Sequence, residues 1–218
     1  MVPNVNSSVQ DSCPALSVDE YRLYFASARS GGCGGLDLYV SRRSDRRDDF
    51  GWEQPVNLGC EVNGERNDYM PSLFEDENGT EVMYFTSNRV GGPGGDDIYE
   101  SRMRDDETFG PPTLVAELST DFADSGPTVR RDGLEIIFSS NRAGGLGSSD
   151  LWTATRSSID DPWSAPENLA VLNSESHEGN KISFTFDGRQ LYFRSNRPDS
   201  YGSGDLYVAT RDKLRPKP

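Results

Sequence analysis

At 218 residues the chain has room for one or two domains, and with hydrophobic residues at 33% it cannot fill a thick apolar core. Its 36 acidic against 22 basic residues leave a formal net charge of −14. Such a surface repels phosphate backbones and anionic membranes and attracts cations or basic protein patches. No basic stripe interleaved with aromatics is present, which excludes nucleic acid as a partner, and no run of about 18 apolar residues exists to insert into a membrane.

The chain opens on Met1-Val2-Pro3-Asn4, which lacks the charged and then apolar leader of a signal peptide, as a mature chain also would. Val5-Asn6-Ser7-Ser8-Val9-Gln10-Asp11 then aligns with Val62-Asn63-Gly64-Glu65-Arg66-Asn67-Asp68 further along. The first unit runs from Pro14, holds the phrase LYFASARSGGCGGLDLYV, and has an outer strand expected at residues 52–58. The second starts at Met70-Pro71-Ser72, takes a longer first turn over residues 74–81, reads MYFTSNRVGGPGGDDIYE, and ends near Phe109-Gly110-Pro111-Pro112.

The third unit is the cleanest. Residues 125–130 read as a short strand and Arg131-Asp132-Gly133 as the turn after it, because Asp-Gly between two β-like runs is a strong hairpin signal. Residues 134–140 are nearly continuous in apolar character, as in a strand covered on both faces. A glycine-rich loop (141–149), a third strand (150–156) and an outer strand (163–169) follow, with proline tolerated at the free outer edge. The fourth unit starts at Lys181, turns at Phe186-Asp187-Gly188 and reaches Asp205-Leu206-Tyr207, with no Trp-Pro outer strand in residues 213–218.

Each unit thus carries Ser-x-Arg, a loop, and an aspartate eight residues after the arginine: Arg29/Asp37, Arg89/Asp97, Arg142/Asp150 and Arg197/Asp205. The arginines fall 60, 53 and 55 residues apart, a period that suits a four-stranded antiparallel blade with one enlarged loop. The expected fold is all-β: a four-bladed β-propeller in a single domain over residues 1–218, with repeats of roughly 11–68, 69–124, 125–178 and 179–218 plus 1–10. An open strand edge templates pairing with other chains, so residues 1–6 are expected to lie along the edge of unit four and close the circle. A five-bladed-like or open propeller fragment is the alternative. Aromatics that recur from unit to unit (Tyr24, Tyr84, Phe138, Tyr192; Tyr39, Tyr99, Trp152, Tyr207) are expected to pack between blades.

The pattern Asp-Gly-x-x-Leu-Tyr-Phe-x-Ser-x-Arg followed by Asp-Leu-Tyr, carried by Asp187-Gly188, Leu191-Tyr192-Phe193 and the phrases above, resembles the WD-like β-propeller repeat of TolB and related exported bacterial proteins. The Trp…Pro-x-Asn-Leu-Gly…Val-Asn tail looks like tandem copies in large bacterial surface and periplasmic proteins. The resemblance covers essentially the whole chain and implies a binding scaffold in the periplasm or outside the cell. TolB pairs six such blades with a second domain, and neither feature is present here.

In a propeller the loop between the second and third strands shares a face with the link into the next blade. Asp11, Asp68, Asp124 and Glu178 therefore fall beside the glycine-rich loops, one carboxylate per blade, as candidates for a cation or ligand site at the channel mouth. The competing reading is a structural brace. Either the acid accepts hydrogen bonds from its neighbours, or each Ser-x-Arg arginine pairs with the loop aspartate eight residues on. Recurrence in every blade favours the brace, since catalysis rarely needs four copies of one part.

The loops Gly91–Asp97 and Gly144–Asp150 have the composition of glycine-aspartate calcium turns but not their nine-residue stacking, so Ca2+ is a conceivable occupant and glycine supplying positive φ the simpler reading. No other cofactor is expected. Symmetry breaks at His177-Glu178, the one histidine beside the one glutamate of the ring, a chemically reasonable acid–base pair. A glycosidase would need two carboxylates about 5 to 9 Å apart, and no motif selects two of these four. Cys33 and Cys60 fall in loops on the same face, where they are either a disulfide or free thiols, and no C-x-x-C spacing marks a zinc site. The favoured expectation is a non-catalytic scaffold that binds protein on its loop-rich face, with a carbohydrate-binding or glycoside-hydrolase-like module as the alternative.

Overall fold

A computed structural model of the chain describes residues 2–198 and 200–212, apart from the side chain of Asn180. Met1, Asp199 and the tail at 213–218 lie outside the described residues. The first blade comprises β1 (Asp11–Leu16), β2 (Arg22–Ser27), β3 (Asp37–Arg42) and β4 (Val56–Asn57). The second holds β5 (Asp68–Glu75), β6 (Glu81–Ser87), β7 (Asp97–Arg102) and β8 (Thr113–Leu114), and the third β9 (Asp124–Val129), β10 (Glu135–Ser140), β11 (Asp150–Thr155) and β12 (Glu167–Asn168). The fourth has β13 (Glu178–Phe184), β14 (Gln190–Ser195) and β15 (Asp205–Thr210). Strands follow one another across each sheet, and every pairing is antiparallel. This is an all-β, four-bladed propeller.

The strands form where the sequence places them, with two shifts. Each inner strand begins at the junction acid itself, because Asp68, Asp124 and Glu178 donate their N–H to carbonyls of the preceding blade's loop. The outer strands are only two residues long. Pro55 and Pro166 lack the N–H that would extend the ladder, so pairing is confined to Val56-Asn57 and Glu167-Asn168.

Blades are held face to face by thin apolar seams. Leu38 and Val40 of the first meet Met83 and Phe85 of the second. Tyr84 and Ile98 then meet Ile136 and Phe138, and Leu151 meets Leu191 and Phe193. Strand register corrects one expectation here. Phe138 pairs with Trp152 as Phe25 does with Tyr39, so it matches Phe25, Phe85 and Phe193, and Ile137 is the counterpart of Tyr24. Side chains alternate between strand faces, so an offset of one residue moves a ring to the opposite seam.

Residues 2–6 do not close the circle along blade four. Val2 and Val5 pack instead on Phe25, Tyr39 and Trp52 of the first blade, Asn4 donates to the Trp52 carbonyl at 2.9 Å, and Arg29 holds the Val5 carbonyl at 2.7 Å. The burial of two valines on an aromatic cluster outweighs what a short polar strand would gain at an exposed edge. Inner strands pack in succession, β1 on β5, β5 on β9 and β9 on β13, while β13 and β1 make no packing of comparable extent. At that gap Lys181 of β13 lies beside the Cys13 thiol of β1.

Candidate functional site

The four junction carboxylates come together with the four Ser-x-Arg motifs in one repeated cluster. Antiparallel register sets Asp11 opposite Ser27, Asp68 opposite Ser87, Asp124 opposite Ser140 and Glu178 opposite Ser195. The arginine two residues after each serine folds back over that pair. Arg29 reaches Asp11 at 2.8 Å, Arg89 reaches Asp68 at 2.6 Å, Arg142 reaches Asp124 at 2.5 Å, and Arg197 reaches Glu178 at 3.3 Å. Its Nε donates to the serine hydroxyl at 2.8, 2.9, 3.0 and 3.0 Å in turn, and its Nη2 also donates to the carbonyl of Val5, Val62, Leu118 or Leu172. The guanidinium lies over the rings of Phe25 and Tyr39 and of their counterparts in each later blade.

The second carboxylate oxygen closes the turn before the strand. Asp11 accepts from the Ser7 N–H, Asp68 from that of Gly64 at 2.7 Å, Asp124 from that of Thr120 at 2.7 Å and Glu178 from that of Ser174 at 3.1 Å. Asp68, Asp124 and Glu178 are fully buried, and only Asp11 keeps a small opening to solvent. Burial pushes the Asp11 carboxyl up. The bonds from Ser27, Ser7 and Arg29 together overcome this and hold it at about 2.

Pairing of each arginine with the loop aspartate is therefore corrected: the partner is the junction acid. The loop aspartates face inward to their own loops. Asp37 accepts from the Cys33 and Gly34 N–H groups, Asp97 from Gly94, Asp150 from Leu146 and Gly147, and Asp205 from Gly202. Burial moves Asp97 upward, against the Gly94 N–H bond. Among the described residues no group of three or more His, Cys, Asp or Glu is spaced to hold a metal ion.

His177 and Glu178 are neighbours in sequence but not in chemistry. The Glu178 carboxylate is taken by Arg197, Ser195 and Ser174, while the His177 N–H donates to Asn196 at 2.8 Å and its Nε2 is shielded and without a partner among the described residues. Cys33 and Cys60 form a disulfide that ties the first loop to the turn after β4, and Cys13 is a buried free thiol.

Two features escaped the sequence reading. Each inner strand carries a bulge, and in the first three its residue before proline, Cys13, Met70 or Gly126, has φ of 59°, 55° or 63°. The recurring x-Pro at 13–14, 70–71 and 126–127 was the available signal. The second is a set of apolar side chains standing free on the loop-rich face. Val90 is 80% and Leu146 54% exposed, Tyr201 is fully exposed, and Val9 and Phe122 stand partly exposed at the junctions. Elsewhere a groove of about 380 Å³ lies between blades two and three, lined by Glu100, Arg102, Leu114, Arg156 and Trp163.

No family model and no curated protein matches the chain. Among solved structures it is similar to TolB from Acinetobacter baumannii, with a TM-score of 0.59 and 16% identity over 95% of this chain and 42% of that one. It is likewise similar to an α-L-arabinanase mutant from Cellvibrio cellulosa, with a TM-score of 0.63 and 15% identity over 93% of this chain and 74% of that one. An endo-1,4-β-xylanase from Bacteroides thetaiotaomicron gives a TM-score of 0.59 and 14% identity over 95% and 73% of the two chains. At these identities the likeness is one of fold, and the chain spans less than half of the TolB structure.

Proposed function

We propose that the protein is a non-catalytic, TolB-like propeller scaffold that binds a protein partner on its loop-rich face, in the periplasm or outside the cell. The observation that carries this is the exposed set Val90, Leu146 and Tyr201, with Val9 and Phe122 beside it. Apolar side chains left exposed on a loop-bearing face suit the core of a protein interface. The acids that a hydrolase would need are bound to arginines and backbone, which argues against the catalytic reading. The Cys33–Cys60 disulfide supports an oxidising compartment.

The test is crosslinking with mass spectrometry in extracts of the source, using wild type, Val90→Asp/Leu146→Asp, and Val56→Asp on an outer strand as control. The crosslinked partner should be lost with the double variant alone. The likeness to glycoside hydrolases supports the alternative, a carbohydrate module. Glycoside turnover or glycan-array binding that vanishes in Glu178→Gln, at unchanged melting temperature, would overturn the scaffold reading in its favour.

A further inference from the structure

Three arginines stand at the same place in their blades, one step past the third strand: Arg43 after β3, Arg156 after β11 and Arg211 after β15. Each donates its Nε–H to a carbonyl in the first turn of its own blade, that of Glu20 at 2.9 Å, Gly133 at 2.7 Å and Gly188 at 2.8 Å. The outer nitrogens of two of them then meet acceptors. Both Nη atoms of Arg211 hold the Glu135 carboxylate of the preceding blade, at 2.6 and 2.8 Å. Arg43 Nη1 lies 3.4 Å from the Asp48 carbonyl and 3.6 Å from the Asp49 carboxylate.

Arg156 is left without a carboxylate among the described residues, and its Nη2 is shielded from water with no acceptor. In the preceding blade the acid that matches Glu135 is Glu81, the first residue of β6 as Glu135 is of β10. Glu81 is already taken: Tyr24 donates to it at 2.6 Å and Arg22 lies 3.7 Å away. Beside Arg156 stands a second orphan. The guanidinium lies 4.3 Å over the Trp163 ring, and Trp163, only 6% exposed, keeps its Nε1–H without a partner among the described residues. A buried donor left unmet is costly, and here two share one wall.

Both residues line the groove of about 380 Å³ between blades two and three, a volume at the small end of ligand pockets. The rest of its lining sorts the ligand. Leu114, Ile159 and Pro162 offer apolar surface. Glu100 is occupied by Arg102 at 2.8 Å and by the Tyr84 hydroxyl at 2.6 Å. Glu117, Asp160 and Asp161 remain, all exposed. Arg156 therefore calls for an anion, while these acids repel one that carries no cation of its own. A zwitterion answers both.

We propose that this groove binds a short peptide with free termini, its carboxylate on Arg156 and Trp163 and its ammonium toward Asp160 and Asp161. The peptide carboxylate fills on Arg156 the place that Glu135 fills on Arg211. Antiparallel strand order puts the loop between β11 and β12 at the opposite end of the blade from the glycine-rich loops, so this site is separate from the face assigned to a protein partner.

The test is isothermal titration calorimetry of the intact chain with the dipeptide alanyl-leucine, its C-terminal amide and its N-acetyl form. Wild type should bind the dipeptide, and the amide, which lacks the carboxylate, about tenfold more weakly. The N-acetyl form, which lacks the ammonium, should also weaken. Arg156→Gln should erase the preference for acid over amide, and Asp160→Asn/Asp161→Asn the preference for free over acetylated amine. Both aspartates are exposed, so that variant should melt as wild type does. Val90→Asp/Leu146→Asp should bind the dipeptide unchanged, which separates failure of this site from failure of the scaffold reading. No binding at millimolar dipeptide would overturn the proposal and leave the two donors to water. Equal binding of acid and amide by wild type would overturn it as well, even where Arg156→Gln does not fold, and so would a folded Arg156→Gln that keeps the preference.

Discussion

Asp11 shows how one side chain can be read twice from sequence and once from structure. The constant separation of eight residues drew the arginines toward Asp37, Asp97, Asp150 and Asp205. The true partners lie 18, 21, 18 and 19 residues before the arginine, because the intervening hairpins differ in length and hide a contact that strand register keeps constant. Fixed sequence spacing reported a shared loop shape; fixed pairing reported the contact. The Asp11 carboxyl has its ordinary value of 3.8 lowered to about 2 in the folded protein, since Ser27, Ser7 and Arg29 outweigh its burial. A lowered folded value means that the carboxylate stabilises fully above 3.8 and that this contribution disappears as pH falls through about 2. Denaturant melts of wild type and Asp11→Asn across that window should converge as the solution becomes more acid and separate again toward neutrality.

In the loops, glycine answers two different demands. Gly31, Gly91 and Gly144 have φ of 87°, 102° and 93°, the left-handed conformation expected from sequence. Gly34, Gly94 and Gly147 are glycine for another reason: a Cβ there would run into the backbone carbonyls of Arg66, Phe122 and Ser176 in the next junction. Composition announced a flexible loop, and only the packed joint shows why the second group admits no side chain. The first loop alone is also tied covalently. The Cys33–Cys60 bond spans 27 residues with Cα atoms 5.5 Å apart, and enclosing a loop of that size restricts the unfolded chain by about 3–4 kcal/mol. Cys33→Ser/Cys60→Ser should lower the melting temperature and abolish the further loss that reductant causes in wild type, measured by circular dichroism.

Across the whole molecule the four blades are legible in sequence and their unequal burial is not. Repeated phrases made blade four look like the others, yet β15 alternates between partly buried and exposed along its length while β3, β7 and β11 are mostly buried. Its repeat signature describes local strand shape and contains nothing about what lies beyond the strand. Hydrogen exchange should therefore be fastest among the third strands at β15 and slowest at β6 and β10, whose residues are buried throughout. Equal protection of β15 and β7 in dilute monomer would contradict this. Asn63, Ser119 and Asn173 each accept a backbone N–H from the preceding blade's third strand, that of Leu38, Ile98 or Leu151, and this clasp has one last implication. Each of the first three blades is completed by residues that belong, in the gene, to its successor. Phase is therefore fixed for such a chain: an exchange of segments cut from one junction carboxylate to the next would keep each strand with its clasp, whereas one cut elsewhere would leave two faces mismatched.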